Sequence, residues 1–205
     1  SCEQLLSNMN LMQDGVFNIA GALLFGKMPQ FKLPVFTLKA VAYPGHDIHL
    51  DTYIESQEIT GKLENVFNDA LAFLLRQLRR VQNQQNVNSV GELEIPKSAL
   101  EELLMNAVIH RDYFISAPIR LFVFDDRIEI ISPGHLPNSL TIEHIKNGNS
   151  NIRNPVLASF AAKILPYRGL GNGIRRALKV YPDIEFIDDR EGNLFTVVIK
   201  RQLSV

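Results

Sequence analysis

The chain has 205 residues, of which 46% are hydrophobic and 21% charged, with a net charge of −1. That length and balance suit one large or two small folded domains with a real core, and they exclude a disordered chain. The 21 basic and 22 acidic residues are interspersed, which leaves no broad basic footprint for nucleic acid.

Residues 3 to 25 hold two short apolar segments around "MQDGVFN", with Asp14-Gly15 as a turn signal. "NIAGALLFG" reads as a short helix ending at Gly26, and Pro29 and Pro34 mark a loop. "VFTLKAVAY", 35 to 43, alternates as a strand and stops at Pro44-Gly45; a second strand is expected within "DTYIESQEI". From Leu63 to Val81 the period becomes helical, with Val66, Phe67, Ala70, Leu71, Leu74, Leu75 and Leu78 on one face. The polar run "QNQQNVNS" that follows reads as a linker or exposed loop. "GELEI" is the next expected strand, and Pro96 suits the first turn of a helix over 97–110. "IRLFVFDD" and "RIEIISPG" form a hairpin, and 138 to 168 read as polar loop and short helices. "GLGNGIRRALKVY" is a glycine-rich turn entering a helix, and "IEFIDDREGNLFTVVIK" is a closing hairpin. The pattern predicts an α/β fold: a two-layer α/β sandwich with helices on one face of a mixed, antiparallel-rich sheet. The expected division is a small α/β connecting region over 1–90 and the sandwich over 91–205, with the helix at 63–81 belonging to either.

The helix in "EELLMNAVIHRDY" carries polar residues that stability alone does not call for. Leu100, Leu103, Leu104, Ala107 and Val108 share the face that should pack on the sheet. Glu102 and Asn106, four apart, are neighbours on another face. An amide oxygen is a hard neutral ligand that Mg²⁺ accepts, and a glutamate one turn back can orient or deprotonate a water. The same pair also reads as a solvent-facing Glu and Asn near a helix end. "SPGHLP" puts a sharp bend after a strand, and "RGLGNGIRR" spaces Gly169, Gly171 and Gly173 by two ahead of a helix. Glycines there allow backbone to approach a phosphate, although a plain flexible turn is the commoner meaning. His46 and His49, with Asp47 and Asp51, have a faint metal-ligand look but sit in an expected loop. Arg175, Arg176 and Lys179 are expected to be mostly solvated opposite the core face Ile174, Ala177, Leu178 and Tyr181.

Together, "EELLMNAVIHRDY", "DDRIEIISPGHLP", "NIRNPVLASF" and "RGLGNGIRRAL" resemble the GHKL-type (Bergerat-fold) ATPase module. They are most similar to its divergent branch of RecG-related, helicase-like proteins or ATP-binding transcriptional regulators. The resemblance runs from about Pro96 to Lys200 and implies a GHKL-like sandwich. It implies Glu102 as general base, Asn106 as the Mg²⁺ ligand, Gly169, Gly171 and Gly173 near the phosphates of ATP, and Gly134 near the adenine. His110 and Arg111 would meet phosphate, and 138 to 168 would form a lid. Those ATPases hold the adenine amino group with an aspartate in D-x-G-x-G, where this chain has Ser132-Pro133-Gly134. A serine contact lacks the charge and is weaker, so the expected enzyme is at most a weak Mg-dependent ATPase. The leading expectation is a regulatory ATP-binding-type module of a DNA-associated regulator; the alternatives are a nucleotide-free interaction or dimerisation domain that keeps the fold, and an active Mg-dependent ATPase. No helicase P-loop motif is present in the sequence. Proteins of this branch usually begin with an AlbA-like (Schlafen-type) domain, so DNA contact is expected through a preceding domain, and a homodimer is compatible with the family. The chain opens at Ser1, and it is read as part of a longer bacterial-type regulator. One cysteine, Cys2, excludes an internal disulfide and suits a reducing cytoplasm. No apolar run is long enough for a membrane span, so no membrane partner is expected.

Overall fold

The structure, a computed structural model, describes residues 1–48, 51–81, 91–137, 139–167, 169 and 171–202. The chain begins with α1 (Cys2–Asn8) and a minimal hairpin, β1 (Met12–Gln13) and β2 (Val16–Phe17). The turn expected at Asp14-Gly15 is there, with both residues at positive φ. Helix α2 (Ile19–Phe25) is capped by the Asn18 side chain on Gly21 N–H and ends at Gly26.

Next come β3 (Leu38–Ala42), β4 (Glu55–Ile59) and α3 (Leu63–Gln77). Helix α3 stops short of Val81 because Leu78 turns extended, and the chain enters β5 (Arg80–Val81), which pairs with β6 (Glu92–Leu93). Then follow α4 (Lys97–His110), β7 (Ile119–Val123) and β8 (Arg127–Pro133). The segment expected as loop and short helices holds α5 (Ile142–Lys146) and α6 (Pro155–Ile164). Helix α7 (Gly173–Val180) and the hairpin β9 (Ile184–Asp189) and β10 (Leu194–Lys200) close the fold.

Six strands form one mixed sheet in the order β4-β3-β7-β8-β10-β9. All neighbours are antiparallel except β3 and β7, which run parallel with Ala40 opposite Leu121. A parallel pair needs a crossover, and here α3 and α4 supply it. This is the expected two-layer α/β sandwich. The sheet itself crosses position 90: β3 and β4 extend the strands that follow it. The expected cut between 1–90 and 91–205 therefore runs through one sheet and one core, and α3 packs on both β3 and α4. The linker run at 82–90 lies outside the described residues.

Helix α4 is the centre of the helical layer. It buries Ala99, Leu100, Leu103, Leu104, Met105, Ala107, Val108 and Ile109, because the sheet lies beneath it and α3 and α7 flank it. Leu100 and Leu104 are fully buried, and truncating either to alanine costs about 2–5 kcal/mol. A second tie crosses the chain halves. Arg201 Nη2 and Nε donate to Glu94 Oε1 at 2.6 and 3.1 Å, Nη1 to the Phe124 carbonyl and Nη2 to the Gln77 carbonyl. Both charged side chains are almost wholly buried. The end of α3, the residue after β6 and the end of the sheet are thereby held at one point.

Candidate functional site

One stripe of α4, at i, i+4 and i+8, carries Glu102, Asn106 and His110 into a cavity between the helix, the sheet and the segment 139–167. The Asn106 amide nitrogen donates to the Glu102 carbonyl at 2.7 Å and to Glu102 Oε1 at 3.0 Å. Its side-chain oxygen is therefore the atom turned away from Glu102. The second carboxylate oxygen of Glu102 accepts from Arg176 Nη2 at 2.6 Å. Glu102 also lies hard against the start of α7. A Cβ placed on Gly173 would fall 1.6 Å from its Oε1, so only glycine fits there while Glu102 keeps this position. Gly169 and Gly171 line the same end of the cavity, and Gly171 packs against Gly148 and Ser150.

The floor comes from the sheet: Ile130 and Ser132 of β8, Phe195 and Val197 of β10, and Phe186 of β9. Register explains the set, since Ser132 opposes Phe195, Ile130 opposes Val197, and Val197 opposes Phe186. Ser132 is 6% exposed and its hydroxyl donates to the Ala107 carbonyl at 3.1 Å. With the proton committed to α4, the oxygen offers only lone pairs to a ligand. Leu136, Leu140 and Ile145 cover the floor from the lid side. The cavity thus has an apolar slot at one end and a polar, glycine-rich end at the other.

Gly134 makes the bend between floor and lid. Its φ is +100°, and a Cβ there would meet Arg153 Nη1 at 2.0 Å and Asp112 Cβ at 2.6 Å. Arg153 donates to the His135 carbonyl at 2.5 Å and pairs with Asp112 at 3.7 Å. Asn154, its neighbour, donates to the carbonyls of Ile109 and Arg111 at 2.8 Å each. The lid is in this way fastened to the C-terminus of α4, whose last carbonyls need partners.

His110 sits at the junction. Burial, with the Arg153 charge second, pushes its pKa down from 6.5 to about 4. The imidazole is neutral at pH 7, and the Tyr167 hydroxyl lies 3.4 Å from Nε2. Burial first, then the Glu102 charge, raises the Tyr167 pKa, so this phenol is protonated.

Eight of the nine residues singled out from sequence line this cavity: Glu102, Asn106, His110, Ser132, Gly134, Gly169, Gly171 and Gly173. Arg111 does not, and the expectation that it meets phosphate is corrected. It caps α4 with an extended conformation (φ −50°, ψ 145°) that turns the side chain away from the helix stripe. At 2% exposure, its guanidinium donates to the Ile115 and Ala117 carbonyls and stacks on Phe36 and Tyr113. Its role is to join α4 to the N-terminal half.

Sequence reasoning missed Arg176, which lines the cavity rather than lying fully solvated, and Tyr167. The available signal was the block "RGLGNGIRRAL" itself: a helix opening at a ligand end carries its first-turn side chains there too. Among the described residues no group of three or more His, Cys, Asp or Glu could hold a metal ion, and His49 lies outside them. An amide oxygen such as that of Asn106 is of the kind Mg²⁺ accepts beside water and phosphate oxygens. Among the described residues, no helix is long and apolar enough to cross a membrane.

Residues 116–199 match the family model described as "Putative ATP-dependent DNA helicase recG C-terminal". The match takes in the strands of the floor, the lid and the glycine turn, while α4 with Glu102 and Asn106 precedes it. A search of curated proteins finds no match. Among solved structures, the chain is similar to the DIP2311 protein from Corynebacterium diphtheriae, with a TM-score of 0.72 and 22% identity. That likeness covers 100% of this chain and 41% of that one, so the chain spans about two fifths of its relative's length. At this identity the likeness is one of fold. Over residues 116–199 the chain is thus similar to the ATPase-like C-terminal module described for RecG, and three of the four sequence blocks fall inside that span.

Proposed function

We propose that the cavity beneath the 139–167 lid binds ATP with Mg²⁺, and that occupancy regulates a longer DNA-associated transcriptional regulator. The observation that carries this reading is the division of one cavity into two ends of different chemistry. The slot of Ile130, Val197, Phe186, Leu136 and Leu140 suits a flat base. The other end gathers Asn106, Glu102, Arg176 and the Gly169–Gly173 turn, which suits polyphosphate. Asn106 would give Mg²⁺ one oxygen, and the ion would neutralise phosphate charge there. Glu102 would orient or deprotonate a water, and His110, neutral, would accept or donate one hydrogen bond. Ser132 would accept from an exocyclic amine of the base, and Gly134 keeps that bend slim.

Occupancy would act through the lid, whose residues 139–167 contribute Leu140, Ile145 and Asn149–Asn151 to the cavity wall. DNA contact would come through a segment outside this chain, and the compartment would be the cytoplasm. Turnover is expected to be slow, because Glu102 is already engaged by Arg176 and Asn106. That same engagement favours a second reading, an interaction domain that keeps the fold without nucleotide. A fluorescent ATP analogue, titrated with and without Mg²⁺, separates them. Saturable, Mg²⁺-dependent binding supports the first; absence of binding at millimolar analogue to folded wild type and folded Glu102→Gln alike supports the second.

A further inference from the structure

Among the described residues Arg176 is a cation at the polar end of the cavity, and Glu102 holds it at 2.6 Å. The pair is not an ordinary surface contact. The Glu102 side chain is only 12% exposed, and its carboxylate is pressed against Gly173 at the start of α7. Asn172, at the cap position, makes no side-chain capping bond there. A carboxylate in that position balances the positive end of the helix and the guanidinium together, as a phosphate would.

Resting on the nucleotide reading above, we propose that Glu102 stands in for a ligand phosphate and that Arg176 is a further ligand-binding residue. When an anionic phosphate enters, Arg176 exchanges the carboxylate for a phosphoryl oxygen. Two negative groups cannot share the α7 start without repulsion, so Glu102 yields. Its departure also frees the Asn106 amide N–H now donating to Oε1, while the other stays on the Glu102 carbonyl. The ligand class is a polyphosphate-bearing nucleotide. Glu102 then affects affinity as well as any chemistry, and it does so by opposing phosphate binding.

Calorimetry on the full chain tests this with three probes: a non-hydrolysable ATP analogue with Mg²⁺, inorganic tripolyphosphate with Mg²⁺, and adenosine. Arg176→Met should weaken the ATP analogue and tripolyphosphate about tenfold or more, the usual scale for a charge-assisted bond. It should leave adenosine unchanged. Glu102→Gln should tighten the ATP analogue about three- to tenfold, again sparing adenosine. If wild type binds nothing and Glu102→Gln binds the analogue, the carboxylate is shown to block the site, in line with the proposal. Equal analogue affinity in wild type and Arg176→Met, weaker binding in Glu102→Gln, or a parallel loss of adenosine overturns the exchange while leaving the nucleotide site standing. No binding of any probe by wild type or either folded variant removes the nucleotide reading and the exchange together.

Discussion

Neutral His110 gives the protein a stability that depends on pH in a defined window. The folded pKa of about 4 lies below the unfolded value of 6.5, because the ring is buried and faces Arg153. Above pH 6.5 neither state is protonated, and the favourable packing of the ring is fully present. As pH falls below 6.5 the unfolded chain takes up a proton that the folded chain refuses until about pH 4. Stability is therefore lost on acidification through that interval. At about 1.36 kcal/mol per pH unit the limiting loss is about 3 kcal/mol, with about 2 kcal/mol already gone at pH 5. The assay is urea unfolding of wild type and His110→Gln at pH 7.5 and pH 5. Carboxylates and other histidines are common to both proteins and cancel. The stability difference between them should move by about 2 kcal/mol in the variant's favour on going to pH 5. Identical pH dependence in the two proteins would refute the burial argument, as would an NMR titration placing His110 near 6.5.

Other outcomes follow from the same contacts. Gly134→Ala meets both a positive φ and the Arg153 guanidinium; it should cost about 2–4 kcal/mol in urea unfolding. Arg201→Met strands the buried Glu94 carboxylate and should cost about 3–5 kcal/mol, while adding Glu94→Leu should restore most of it. A double variant no better than the single would show that the pair itself, and not the orphaned charge, carries the stability. Glu102→Ala should abolish any ATP turnover in a phosphate-release assay yet retain binding; lost binding would argue against a site in which Glu102 opposes the phosphates. Arg111→Met, outside the cavity, should lower the melting temperature and leave nucleotide affinity unchanged; a changed affinity would contradict its structural assignment.

Helical spacing and the family resemblance together led to most of the residues that line the cavity. Glu102, Asn106 and His110 share one stripe because helical spacing is fixed, and the strand alternation that puts Ser132 inward is equally local. The residues that escaped depend on distant neighbours. Arg111 follows His110 directly, yet one extended residue at the end of α4 sends it to Phe36, 75 positions earlier. Arg176 lies opposite the apolar face of α7, which reads as solvent until α4 is seen to cover that side with Glu102. The joining of β3 to β7 is a parallel pairing across the whole of α3 and α4, and no nearby residue announces it. The polar run after Val81 marks a break in local pattern and says nothing about which strands pair.

The most direct measurement is calorimetric titration of the purified chain with a non-hydrolysable ATP analogue, with and without Mg²⁺, beside Asn106→Ala. The expected result is saturable binding that needs Mg²⁺ in wild type and loses that dependence in Asn106→Ala. No heat up to millimolar analogue from wild type and from Glu102→Gln, both shown to be folded, would contradict it, and would leave the fold as a nucleotide-free interaction module.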